Sequence, residues 1–368
     1  MIRNLCLILL LIPAYAACTT PEAVQPERLL VVLNKSDHTA TVLDRDTGGK
    51  LATIVTGLAP HEVAVDPERG IGVVANYGTS VNPGSSLSVL DLRSRRAIKT
   101  IGLKRFRRPH GIQFFRDGSR VAVTAEANQA VLIVNVETSE IEQVVPTGQQ
   151  ISHMLVLSPD EKWCYVTNIE SGSLSVLNLE RSQLYRTLDV GEGAEGIDVS
   201  PDGKELWIAS RAEDRVAVID TETLEITEHI ETGSFPIRVR FLSDGEHVLV
   251  SNARTGDVSV LSRSEKKEIQ RVSMGLTAKE QEDRLLQFDL SPVPIGIVLD
   301  DELPRAYIAN SNADIITVLD LVSWEITARL QAGEEPDGMG VVTLHPPVPE
   351  ETQSAGNSPE QSEEEPVK

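Results

Sequence analysis

The chain has 368 residues and a formal net charge of −21, with 24% charged, 40% hydrophobic and only 4% aromatic residues. So acidic a chain is a poor general nucleic-acid binder, because that affinity comes largely from neutralising phosphates. Its three cysteines are too few for a disulfide framework.

At the N-terminus, Arg3 precedes an apolar run, Leu5–Ile12, and then Pro13-Ala14-Tyr15-Ala16-Ala17-Cys18. The run is too short to span a bilayer and has the form of a secretory signal over residues 1–17. Two cleavage sites compete. Ala14-Tyr15-Ala16 fits an A-x-A site that releases a soluble chain starting at Ala17. Ala16-Ala17-Cys18 resembles a bacterial lipobox, which makes Cys18 a lipid anchor and residues 18–28 a linker. Tyr15 stands where a lipobox usually has an aliphatic residue, but a cysteine at this position is otherwise unexplained. Both readings export the protein, to the periplasm or cell envelope of a bacterium, with any membrane contact made through the lipid alone.

Residues 29–346 are built from a repeat. Five units are 42 residues long: Leu29–Gly70, Val121–Lys162, Trp163–Lys204, Glu205–Glu246 and Arg305–Pro346. Ile71–Arg120 and His247–Pro304 are the same unit with insertions. In each, alternating runs such as Leu206–Ala209, Arg215–Asp220 and Glu225–Ile230 read as strands. A fourth strand leads into a tight turn, seen whole as Ser200-Pro201-Asp202-Gly203. Seven four-stranded units predict an all-β, seven-bladed β-propeller with antiparallel blades. The first unit opens on what matches the second strand of the pattern. The missing innermost strand is at the far end, Asp337–Val342, so the ring is expected to close by pairing the C-terminal strand with the N-terminal blade. After it, residues 347–368 form an acidic tail rich in Pro, Glu, Ser and Gln, with the composition of a disordered segment.

Tyr165-Val166-Thr167-Asn168 and its near copy Tyr307-Ile308-Ala309-Asn310 give the chain a resemblance to the YVTN-repeat β-propeller family. Val73–Asn76 and Leu249–Asn252 are looser versions. The resemblance spans residues 29–346 and implies a lactonase-like seven-bladed propeller, a superfamily holding surface-layer proteins, binding proteins and some enzymes. The motif marks the scaffold and carries no catalytic residue.

One column of the repeat carries possible chemistry. The residue six before the turn proline, at the start of each innermost strand, reads His61, His110, His153, Glu195, Ile237, Ile295 and Asp337. Consecutive blades can aim three imidazoles and a carboxylate at one point of the channel mouth. That donor set suits Zn²⁺, Cu²⁺ or Fe²⁺ with an open position for water or substrate, and Glu62 and Asp337 stand near enough to support it. The competing reading is that duplication copied the histidines and each bonds a neighbouring blade. The same face is decorated: Tyr77–Ser86 lengthens one loop, residues between Gly275 and Pro294 lengthen another, and a capping box at Thr277–Glu280 predicts a helix over Gln281–Leu286. The basic run Lys104-Arg105-Phe106-Arg107-Arg108 lies in an equivalent loop. It is either a solvated loop or, with Asp337, part of a ligand site that takes an anion.

Other signals reduce to structure. Gly191–Gly196 matches G-x-G-x-x-G but precedes a strand, whereas a dinucleotide site needs a helix there. Cys164 reads as a buried small hydrophobe. Asn34, Asn76, Asn168, Asn252 and Asn310 recur where a strand meets a loop, as turn chemistry predicts. Two functions remain. One is an exported binding or scaffold propeller, expected to be monomeric, that takes a protein, a glycan or a small anionic ligand on its decorated face. The other is a metal-dependent hydrolase, lyase or oxidase at the three-histidine mouth, with a lactonase-like hydrolase as a further reading by superfamily analogy.

Overall fold

The computed structural model describes residues 26–278 and 291–346. Among them the chain forms seven four-stranded antiparallel sheets. The expected helix at Gln281–Leu286, Cys18 and the tail beyond Pro346 lie outside the described residues.

The seven innermost strands begin at Pro60, Pro109, Ser152, Ala194, Pro236, Pro294 and Pro336. Each touches the next, and the last of them, Pro336–Leu344, touches the first, Pro60–Asp66, completing a circle. The alternation of side chains explains why both faces of a blade are apolar. On the strand Glu27–Asn34, Leu29, Val31 and Leu33 join a cluster with the following blade, while Leu30 and Val32 join one with the preceding blade. Seven such clusters fill the seven gaps between blades. Each fully buried Val or Leu contributes roughly 1.5–3 kcal/mol, so the repeat is stabilised at its interfaces rather than within single blades. The outermost strands are mostly exposed and charged, as in Glu225–Glu231, which protects the rim from edge-to-edge pairing. Cys164 is fully buried in one cluster, and desolvation raises its thiol well above the ordinary range.

Closure follows the expected scheme. Pro336–Leu344 pairs antiparallel with Glu27–Asn34, which pairs with Thr39–Asp44 and through it with Lys50–Val55. An ionic lock spans this seam. The fully buried Asp300 carboxylate, on the preceding blade, lies 3.1 Å from Arg45 and 3.4 Å from Arg28 of the closing blade. Arg305 at 2.8 Å and the Tyr307 hydroxyl at 3.0 Å complete its shell. Burial raises the Asp300 carboxyl, but the Arg305 hydrogen bond, the Glu302 and Leu303 N–H groups and the Arg45 charge outweigh it and bring it to about 2.

Removing one partner of a buried ion cluster costs about 3–5 kcal/mol. Asp300→Asn should therefore lower unfolding free energy by about that much at pH 7, read by urea denaturation. An unfolded Asp titrates near ~3.9, above the folded value. The Asp300 contribution is therefore complete above pH ~4 and is lost as pH falls through 2, so the gap between the wild-type and variant curves should narrow across that window. A gap independent of pH across that window would refute the lock.

Candidate functional site at the channel mouth

A backbone clamp repeated in all seven blades builds the mouth. Two residues before each site-column position the chain turns left-handed, at Ala59, Arg108, Ile151, Gly193, Phe235, Val293 and Glu335, with φ of 44–73°. The carbonyl of each of these residues accepts an N–H from a residue at or just beyond the end of the second strand: Tyr77, Glu126, Ile169, Arg211, Ala253, Ser311 and Lys35 respectively, at 2.9–3.1 Å. The clamp sets two columns of side chains beside one another. Left-handed φ is unfavourable for a non-glycine residue, and at each of these seven positions the sheet register shifts just beyond the turn. Hydroxyls tie the columns across blades: Thr124 donates to the carbonyl of His153 at 2.8 Å, Thr167 to that of Glu195 at 2.5 Å, and Ser251 to that of Ile295 at 2.8 Å.

All seven site-column residues line one cavity of about 190 Å³, together with Lys35, Tyr77, Met154 and Arg238. His110 and His153 stack, with ring centroids 3.8 Å apart. The His61 ring lies 5.1 Å from that of His110 and 4.4 Å from Tyr77. His153 sits between two carboxylates: Nδ1 is 2.5 Å from Glu126 and Nε2 is 3.5 Å from Glu195. Glu195 also binds Arg211 at 2.5 Å, and the Tyr77 hydroxyl donates to Glu126 at 2.7 Å. Asp337 faces Lys35 at 3.5 Å. Below them Arg238 pairs with Glu62 and lies 3.1 Å from the Met154 sulfur. Arg238 and Met154 also line a larger cavity of about 700 Å³ towards the turn-bearing end, so they floor the mouth.

Charge divides the three histidines. Desolvation lowers the His153 imidazole, but hydrogen bonds and charge from Glu126 and Glu195 overcome it and bring it to about 9. His110 is pushed well below its ordinary value by burial and then by its His153 neighbour. Burial lowers His61 as well, against the pull of Asp337. At neutral pH the mouth thus holds one imidazolium and two neutral imidazoles. Burial raises the Glu195 and Asp337 carboxyls, but His153 and Arg211 at the first, and Lys35, His61 and Arg238 at the second, hold both below the ordinary range.

The predicted residues His61, His110, His153, Glu195 and Asp337 therefore share one cavity. Among the described residues, the donor atoms that all lie within 4.8 Å of one another belong to His110, Glu126 and His153. The basic run divides. Arg107 donates to carbonyls of its own loop, at Lys104 and Phe106, and Arg108 stacks 4.9 Å over the Tyr77 ring and donates to Thr79. Lys104 and Arg105 are exposed on the same loop. The recurring asparagines are buried and reach across the hairpin instead of serving a turn: Asn76 donates to Ser86 and Ser88, and Asn168 to Ser173 and Ser175. The equivalent position at or just beyond the end of the second strand forms a second column, of which Lys35 and Tyr77 line the cavity, Glu126 bonds His153 and Tyr77, and Arg211 bonds Glu195. Lys35, Tyr77, Glu126 and Arg211 were missed because they share a position in the repeat but no residue type.

This geometry defines a seven-bladed β-propeller with a polar, buried channel mouth. The family described as "Lactonase, 7-bladed beta-propeller" matches residues 50–281, more than half of the chain, and the protein belongs to that family. It is 23% identical over 248 residues to Antigen Lp49 of Leptospira interrogans, covering 60% of this chain and 52% of that protein. It is 24% identical over 131 residues to the seven-bladed β-propeller protein Rv1057 of Mycobacterium tuberculosis, covering 34% and 33% respectively. The chain thus spans about half, or less, of the length of these curated relatives. Among solved structures, it superposes on a Kuenenia stuttgartiensis hydrazine synthase chain with a TM-score of 0.67 at 16% identity, covering 84% of this chain and 99% of that one. A protein of unknown function from Desulfotomaculum acetoxidans gives 0.67 at 14% identity, covering 86% and 99%. These structural matches establish the fold alone.

Tyr77→Phe would leave the buried Glu126 without its phenol donor. Hydrogen bonds to charged groups contribute about 1.5–3 kcal/mol. A stability loss near the lower figure is expected in urea denaturation, because Tyr77 is only half-buried. An unchanged midpoint would show that the network does not support the mouth.

Proposed function

We propose that the protein is an exported binding propeller, anchored at the cell envelope through Cys18, that takes a small anionic ligand at its channel mouth. The carrying observation is the concentration of buried ionisable side chains, from two repeat columns, around one cavity of about 190 Å³. Burying charge is costly, and such groupings collect where a ligand is bound or transformed. A cavity of this volume holds several water molecules, which suits a small molecule. Lys35, Arg238 and the charged His153 supply the positive groups within it, Arg211 backs it through Glu195, and exposed Lys104 and Arg105 add attraction on the basic loop. The lactonase family name makes sugar acids and lactone-derived carboxylates a reasonable first ligand class to screen.

Two measurements test this reading. In a bacterial host, wild type should partition into the detergent phase of a phase-separation assay and Cys18→Ala into the aqueous phase. Wild type in the aqueous phase would reject the anchor. Native mass spectrometry of the chain taken from its own envelope should show a small adduct that Lys35→Ala and Arg211→Ala weaken. No adduct, with no thermal stabilisation by a panel of carboxylates and sugar acids, would reject the binding site.

A further inference from the structure

We propose that His110, His153 and Glu126 hold a divalent first-row transition metal at the channel mouth, through which the anionic ligand is recognised. The proposal rests on the binding reading for the location of the site and adds to it the ion and its ligands.

Three observations converge. First, the donor atoms of these side chains lie within 4.8 Å of one another. A tetrahedral centre with bonds of about 2.1 Å has ligands roughly 3.4 Å apart, so modest ring and carboxylate rotations close the set. Second, His110 Nδ1 is buried without a hydrogen-bond partner, in a side chain only 5% exposed. An orphaned buried polar atom costs about 1–3 kcal/mol, and coordination would satisfy it. Third, the ligands are oriented from behind, as metal ligands usually are. Tyr77 donates to Oε2 of Glu126, leaving Oε1 towards His153, and Thr124 fixes the backbone carbonyl of His153.

Two imidazole nitrogens with a carboxylate oxygen suit Zn²⁺, Cu²⁺ or Fe²⁺ rather than Ca²⁺ or Mg²⁺, which prefer oxygen alone. Metal binding replaces the His153–Glu126 hydrogen bond. His61 stands apart, because its Nδ1 faces the Ala59 carbonyl of its own blade at 3.0 Å. The ligand set therefore mixes the two columns and is not simply the three histidines.

The test strips the folded protein with chelator, then adds Zn²⁺, Cu²⁺ or Co²⁺. It reads stoichiometry by elemental mass spectrometry and coordination by cobalt(II) visible absorption. Wild type and His61→Ala should each bind one equivalent. Glu126→Gln and His153→Gln should lose affinity by about 100-fold or more, at or beyond the upper range for mutating supporting residues alone. Melting curves in chelator show whether each variant folds. Should His153→Gln fail to fold, the nearly isosteric Glu126→Gln set against His61→Ala decides. Equal losses in that pair, or no stoichiometric metal in wild type, would overturn the metal site. Metal-free protein that keeps its anionic adduct would overturn the metal's part in recognition while leaving the binding reading intact, whereas native protein carrying neither metal nor adduct would remove the two together.

Discussion

The whole arrangement depends on a pairing between the two ends of the repeat region. Pro336–Leu344 must find Glu27–Asn34 from some three hundred residues away, and until it does the first and last blades each lack one packed neighbour. Loop-closure entropy grows only slowly with length, and the apolar clusters on both sides of the seam offset it. The lock of Arg28, Arg45 and Arg305 on Asp300 then fixes the seam with a desolvated charge cluster, whose geometry tolerates little slippage. Once the circle is complete, the seven innermost strands have no freedom to diverge. Their first residues are brought to one opening whatever their identity.

That constraint explains what the sequence revealed and what it hid. A repeat length, an alternating pattern and a displaced last strand were enough to read seven blades and their closure, because each is a local signal copied many times. The His61, His110 and His153 column was legible for the same reason: identity recurred at a fixed offset. The second column was not, since Lys35, Tyr77, Glu126 and Arg211 share a position but no chemistry. Only the clamp between left-handed carbonyl and N–H shows that this position stands beside the site column. The basic run was legible as charge. The packing of Arg108 over Tyr77 depends on a loop whose conformation no local pattern specifies.

The blades are not equal partners at the mouth. Those contributing His61, His110, His153, Glu195 and Asp337 bring ionisable side chains, whereas Ile237 and Ile295 bring apolar ones. Duplication accounts for the shared scaffold, and divergence at two columns accounts for the polarity of one side of the opening. Charge is balanced locally rather than removed: His153 lies between two carboxylates, Asp337 faces Lys35, and Arg238 meets Glu62. On the binding reading proposed above, the ligand would exchange places with one member of the network, and a small ion or anion fits that requirement better than a large partner.

The most direct test of the account is a crystal structure of the protein purified from its native cells, with anomalous data collected at transition-metal absorption edges. The account predicts an anomalous peak between His110, Glu126 and His153, with ligand density above it in the mouth. Density for a bound partner elsewhere on the blades, with only ordered water at the mouth, would contradict it.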